Sequence, residues 1–325
     1  MPIIVISYDI DNMSISYDID NMQCFKCGIE ITGEEPKYGL HQQCFTAWFK
    51  VDPKYEFVSL TQRSADSKDP EKDINRSANN TSFYHGKFKK YSADLNTDNY
   101  ILKMRDEKEA PELPEVEYLC NQIANLLGIP VPDFFYIDFN DQRVFVTKVF
   151  IKKSGGVSNL EHIYKYRPDN QHNCETLAKT IEETTKRPYD VEVFYNTLLL
   201  DALIGNHGRH GKNLAFVVSP SKILLSPIYD NVSYMGLVTG KMLKADFNPT
   251  GRIATLKTLE PSMNDYVEEL VRLNQVDLVI QFLAKAKIQK INDLVDHSFC
   301  SLDMKESLKR LIAKRHRELI DGIQN

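Results

Sequence analysis

One stretch, residues 193–230, constrains the fold more than any other part of the chain. Phe194, Leu198, Leu199, Leu200, Ala202 and Leu203 make 193–204 almost wholly apolar, as expected of a helix buried on every side. A polar loop follows at once, reading Asn-His-Gly-Arg-His-Gly-Lys-Asn from Asn206 to Asn213. Residues 214–218 and 223–225 are then short, partly β-branched runs, and Ser219, Pro220, Ser221 and Lys222 between them carry turn chemistry, so the pair predicts a β-hairpin. In an antiparallel hairpin the residue entering the first strand lies beside the residue leaving the second. Asn213 and Asp230 hold those two positions, so an amide oxygen and a carboxylate are expected at one end. Such hard oxygen donors suit Mg²⁺, which takes one or two protein carboxylates and completes its octahedron with waters and phosphates.

The arrangement follows protein-kinase logic, in which a catalytic-loop Asn and a later Asp hold the metal ions. With Asn206, Arg209, His210 and Asn213 in the loop, then Pro227, Tyr229 and Asp230 after the hairpin, the chain resembles the HipA-like serine/threonine kinases of bacterial toxin–antitoxin modules. Their loop has the form Asn-x-Asp-(Arg)-His-x-x-Asn, and the Asp of that pattern falls on Gly208. In the family this Asp is the catalytic base. Glycine has no side chain to accept or orient a hydroxyl proton, so the resemblance implies a kinase impaired at the transfer step. It also implies that Asn213 and Asp230 hold Mg²⁺ and that His210 belongs to the catalytic loop.

The preceding part of the chain extends the resemblance. Residues 100–103 form a strand-like run ending in Lys103. Residues 115–127 carry apolar side chains at helical spacing, with Pro114 before them and Gly128 as a stop. Strand-like runs follow at 134–139 and 144–150. Strand, helix, strand, strand is the order of a kinase small lobe. The resemblance implies that Lys103 contacts the ATP phosphates and that Glu117 pairs with it, with Glu115 as the alternative. It implies that the segment holding Val146, Lys148 and Phe150 receives adenine. Residues 59–82 are polar without apolar periodicity and are expected to form a mobile loop. Just after them, 81–88 can be laid on the family's phosphate-covering loop with Ser82 and Lys87 in register. Ser82 is then the expected autophosphorylation site, and Ser77 competes with it.

Nearer the start, Cys24-x-x-Cys27 and His41-x-x-Cys44 flank a loop containing Gly33, Pro36 and Gly39, a pairing that suits tetrahedral Zn²⁺. The alternative is reduced thiols packed through Phe25, Phe45, Trp48 and Phe49. Residues 6–13, ISYDIDNM, recur letter for letter at 15–22, and 1–22 are expected to be a leader or vector-derived tail outside the fold.

The expected architecture is therefore α+β and two-lobed, protein-kinase-like. A Cys/His element spans 23–50, a small β-rich N-lobe 51–150 and a mostly helical C-lobe 151–325, with amphipathic helices over 267–284 and 305–320. At 325 residues and 42% hydrophobic content the chain has core enough for this. A net charge of −5 argues against general polyanion binding, so DNA contact is expected only through a partner. No apolar run approaches a membrane span and no secretory signal is present, so a cytoplasmic, bacterial protein is expected. The family's additional N-terminal subdomain has no counterpart here, which makes the chain most like the short HipT-type toxins. That resemblance implies a HipB-like helix-turn-helix antitoxin, a small HipS-like companion and an aminoacyl-tRNA synthetase as substrate. A natural pseudokinase acting as a nucleotide-binding scaffold is the other reading of Gly208. The intact Asn206, His210, Asn213 and Asp230 favour an inactivated toxin.

Overall fold

Alternating apolar residues build the first layer of the molecule, a computed structural model that describes residues 22–63, 90–151, 158–211, 213–246 and 248–324. Residues 1–21, together with Ser77, Ser82 and Lys87, lie outside the described residues. Five antiparallel strands, β1 (Val58–Arg63), β2 (Lys90–Leu95), β3 (Asp98–Met104), β4 (Phe134–Phe139) and β5 (Gln142–Lys148), pair in the order β1-β2-β3-β5-β4. The β4–β5 hairpin turns through Asn140 and Asp141 at φ 51° and 58°, the left-handed pair that a tight hairpin needs and that Asn and Asp tolerate. On one face of the sheet Ala93, Leu95, Tyr100, Leu102, Val144 and Val146 pack with Leu40, Phe45 and Phe49, the latter two from helix α1 (Gln42–Phe49). The Cys/His segment thus shares one apolar core with the sheet.

The opposite face receives helix α2 (Leu113–Leu126), whose Tyr118 packs with Tyr136 and Phe145. Val116, Leu119, Cys120 and Ile123 of the same helix belong instead to the large core of the second lobe. One helix therefore serves both lobes.

The second lobe holds helices α3 (Cys174–Thr185), α4 (Pro188–Ile204), α5 (Met263–Arg272), α6 (Val276–Lys285), α7 (Ile288–Asp296) and α8 (Leu302–Gln324). A three-stranded sheet of β6 (Asn159–His162), β7 (Ala215–Ser219) and β8 (Lys222–Leu225) pairs in the order β6-β7-β8. The expected hairpin is present, and β6 adds a strand that its four residues were too few to announce. Helix α4 is buried along nearly its whole length, as its uniform apolarity predicts, and it stops at Gly205 (φ 68°). A Cβ there would come within 2.8 Å of both Leu311 and Pro249, so only glycine makes this turn into the loop. The single helix expected over 267–284 is two. Asn274 takes φ 59° and the Gln275 amide donates back to the Leu270 carbonyl, ending α5 before α6 starts. No helix among the described residues is long and apolar enough to cross a membrane. The architecture is the two-lobed α+β one.

Candidate active site

Lys103 leaves β3 on the face that looks towards the second lobe. Its ammonium donates to Glu117 Oε1 from α2 and to Asp230 Oδ1 from the segment after β8. Lys103 is 7% exposed and Glu117 2%. The choice between Glu115 and Glu117 is settled by helical geometry. Two residues apart on a helix, the side chains diverge by about 200°. Glu115 turns to Arg105 Nη2 and the Tyr136 hydroxyl, each 2.6 Å from its Oε1.

A second lysine completes the centre. Lys90 stands on β2 directly opposite Lys103, and its Nζ lies 3.1 and 3.3 Å from the two Asp230 oxygens. Sequence reasoning missed it. The signal available was the alternation Tyr91, Ala93, Leu95, which sends Lys90 to the cleft face but does not separate a buried lysine from a solvated one.

Burial works against every charge here, and pairing outweighs it at Lys103 and Asp230 but not at Lys90 and Glu117. For Lys103 it is outweighed by Asp230 and Glu117, which hold the ammonium above the usual lysine range. Lys90 is pushed down by burial, and the neighbouring Lys103 adds to that against the pull of Asp230. The two lysines keep the Asp230 carboxylate far below the ordinary range despite its burial. Burial prevails at Glu117, whose carboxyl is raised even beside Lys103. Asp230 also sits at φ 55°, a left-handed conformation that L side chains adopt sparingly.

The polar loop hangs from Arg209, which is 1% exposed. Its Nε and Nη2 meet the two Asp201 oxygens of α4 at 2.8 and 3.0 Å. Nη1 donates to the Tyr229 carbonyl at 2.7 Å and to the Asn213 carbonyl at 3.3 Å, and Nη2 also reaches Asn231 Oδ1. Asn231 in turn donates to Asn121 of α2 at 3.0 Å. One guanidinium therefore ties the chain at Asn213 to the chain beside Asp230. The two residues expected to converge are bound to a common frame, and they offer an amide and a carboxylate, a hard-oxygen set that fits Mg²⁺.

Gly208 is exposed at the apex of this loop. Its amide donates to Asn206 Oδ1 at 2.9 Å, and its carbonyl accepts from Asn213 Nδ2 at 3.1 Å. A Cβ at 208 would meet only Asn206 Oδ1, at 3.2 Å, and the backbone is not left-handed there. The loop keeps the shape that would carry a side chain. His210 is exposed and lines a cavity of about 770 Å³ on the helical lobe, together with His172, Arg252 and Leu256.

Beside Lys103 and Asp230 lies an apolar patch. Ile101, Leu160, Ala215 and Tyr229 form it, with Val149, Phe150, Ile151 and Val217 packed around them. It joins the first sheet to the hairpin. Phe150 packs against it. Val146 and Lys148 do not contribute side chains. Strand alternation places Phe145 with Lys103 on the cleft face, its ring 5.6 Å from Nζ, and sends Val146 into the core on the other side, while Lys148 pairs with Asp98 at 2.6 Å. The remaining expected site is assembled too: one ligand atom from each of Cys24, Cys27, His41 and Cys44 lies within 4.8 Å of the others.

Comparison with known proteins bears on the family and the fold. The family model of the HipA-like C-terminal domain matches residues 39–296. The chain is similar to the serine/threonine-protein kinase CtkA of Helicobacter pylori, with 25% identity over 240 residues, 63% of this chain and 70% of that one. The crystal structure of the H. pylori proinflammatory kinase CtkA superposes with a TM-score of 0.59 at 18% identity, covering 72% of this chain and 92% of CtkA. HipA of Shewanella oneidensis, solved with HipB and its operator DNA, gives a TM-score of 0.50 at 16% identity over 69% of this chain and 57% of that one.

Proposed function

Since the chain belongs to the HipA-like C-terminal domain family, we propose that it is an ATP- and Mg²⁺-dependent serine/threonine protein kinase, a toxin halted at the transfer step by Gly208. The observation that carries this reading is the buried ion-paired centre of Lys103, Glu117 and Asp230 beside an otherwise intact loop.

In this reading Lys103 and Lys90 bind the phosphates, and Glu117 holds Lys103 in place. The patch around Ile101, Leu160, Val217, Tyr229 and Phe150 takes the adenine ring, with the backbone of 146–150 as its edge. Asp230 and Asn213 would hold the metal, which supplies neutralisation of phosphate charge when bound. Arg209 keeps both in register with the loop, and His210 flanks the loop on the side of the helical lobe. Nothing at position 208 takes the proton of an incoming serine hydroxyl. Ser82 and Lys87 would cover the phosphates, with Ser82 or Ser77 as phosphosite.

The partners follow from the same family reading. They are a HipB-like antitoxin, through which alone DNA is contacted, a small HipS-like companion, and an aminoacyl-tRNA synthetase as substrate, all in the cytoplasm. The HipA relative solved with HipB and operator DNA supports the antitoxin.

The deciding experiment is Gly208→Asp. Restored transfer to serine, with growth arrest on expression, is expected at roughly 10²–10⁴-fold above the parent chain, the usual scale for a lost general base. Gly208→Asp combined with Lys103→Met is the control and should be silent. If Gly208→Asp binds Mg–ATP but transfers nothing, with or without its antitoxin, the catalytic reading falls and a nucleotide-binding scaffold takes its place.

A further inference from the structure

We propose that Cys24, Cys27, His41 and Cys44 hold one zinc ion, and that the knuckle so formed braces helix α2 through Phe25, making the seating of the Lys103–Glu117 pair depend on bound metal. The inference stands apart from the kinase reading, because it concerns a metal site and the helix it supports.

Tetrahedral Zn²⁺ with bonds of about 2.3 Å to sulfur and about 2.0–2.1 Å to nitrogen spaces its ligands about 3.6–3.8 Å apart. Here His41 Nδ1 lies 3.4 Å from Cys27 Sγ and 3.8 Å from Cys44 Sγ. The other ring nitrogen, Nε2, is 3.2 Å from the Glu30 carbonyl, the outer contact that fixes a ligating histidine's tautomer and leaves Nδ1 for the metal. All four groups stand on short-range structure. The Gly28 amide donates to the Cys24 carbonyl at 2.8 Å to close the first knuckle, with Gly28 at φ 70°. His41 caps α1, and Cys44 is one turn along it. The cysteines are free, so no disulfide competes in this conformation.

Phe25 lies between the two cysteines of the first knuckle, so the metal would set its direction. Its amide donates to the Gly39 carbonyl at 3.1 Å, and its ring lies flush on Gly39, where a Cβ would fall 2.1 Å from a ring carbon. The ring meets Tyr136 of β4 and Phe299 of the α7–α8 connection edge-on, with centroids 5.3 and 5.5 Å away, and the Arg143 guanidinium lies 4.2 Å over it. Tyr136 stacks on Phe299 at 4.4 Å and packs against Tyr118 of α2 at 5.6 Å. Its hydroxyl then bonds Glu115, two residues from Glu117 on the same helix. The path from the cluster runs through side chains in contact as far as Glu115, and from there the α2 backbone carries it to Glu117 and Lys103.

The test uses the full chain. Elemental analysis should find one zinc per chain, lost in Cys27→Ser, and Co²⁺ reconstitution should give the intense visible bands of a tetrahedral thiolate site. Hydrogen exchange should then show α2 exchanging at least severalfold faster on chelation. Phe25→Ala should do the same with its zinc retained, while α4 keeps its protection in both cases. Absence of zinc and of cobalt uptake overturns the metal site, as does a Cys24–Cys27 disulfide that persists in protein purified under reductant. Unchanged α2 exchange in Phe25→Ala overturns the brace, and so does loss of protection across α4 as well, which would mean general unfolding.

Discussion

The molecule buries two charged clusters within one cleft, and they are built on opposite plans. Around Asp230, two ammonium groups crowd one carboxylate, and Lys103 also donates to a second carboxylate, Glu117. Around Arg209, one guanidinium spends its donors on two carboxylate oxygens, two backbone carbonyls and an amide oxygen. The first cluster is rich in charge and poor in backbone contacts, so under the proposed function phosphate and metal would enter by exchanging partners. The second is saturated and leaves nothing to exchange. One cluster is a site and the other is the frame that holds it. This explains how the loop keeps its form with glycine at 208: its shape rests on Arg209, Asn206 and Asn213, none of which needs a side chain there.

Substitutions that separate site from frame test the contrast. Arg209→Ala strands a buried Asp201 and should cost about 3–5 kcal/mol of unfolding free energy, measured by denaturant titration. Lys103→Met should cost less, about 1–2 kcal/mol, because Asp230 keeps Lys90 and the raised Glu117 carboxyl readily takes a proton. Its larger effect should be on nucleotide, with affinity in calorimetry falling by about tenfold, or about 1.4 kcal/mol. A Lys103→Met chain as unstable as Arg209→Ala would erase the distinction. Lys90→Met relieves a crowded ammonium and should change stability by less than about 1 kcal/mol while still weakening nucleotide binding. Smallest of all, Gly208→Asp should shift stability by no more than about 0.5 kcal/mol, since position 208 is exposed and an added Cβ meets only Asn206 Oδ1. A large loss of melting temperature there would show that the loop has settled around glycine.

The parts of this site visible in the sequence are those that adjacent residues encode. The apolar run before Gly205, the turn between 218 and 223, and the spacing of α2 are periodic signals; the structure joins Lys103, Glu117 and Asp230 directly and holds Asn213 through its backbone carbonyl on Arg209. Ser77, Ser82 and Lys87 remain outside the described residues. What escaped depended on distant partners. Lys90 meets Asp230 across 140 positions, and nothing near Lys90 in the chain marks it as buried. Val146 and Lys148 sat in the right segment, yet strand alternation turns their side chains away. Arg209 belonged to the motif, but its role as the hub appears only once Asp201, Tyr229 and Asn231 surround it.

By itself the sequence determined the order of elements, the polar loop between buried helix and hairpin and the glycine at its apex, because local periodicity and residue chemistry are written in neighbouring positions. Only the tertiary structure decided which glutamate pairs with Lys103, that a second lysine shares Asp230, and that the Cys/His segment packs against the sheet and reaches α2. Those outcomes depend on burial and on partners far apart in the chain, and both are created by packing.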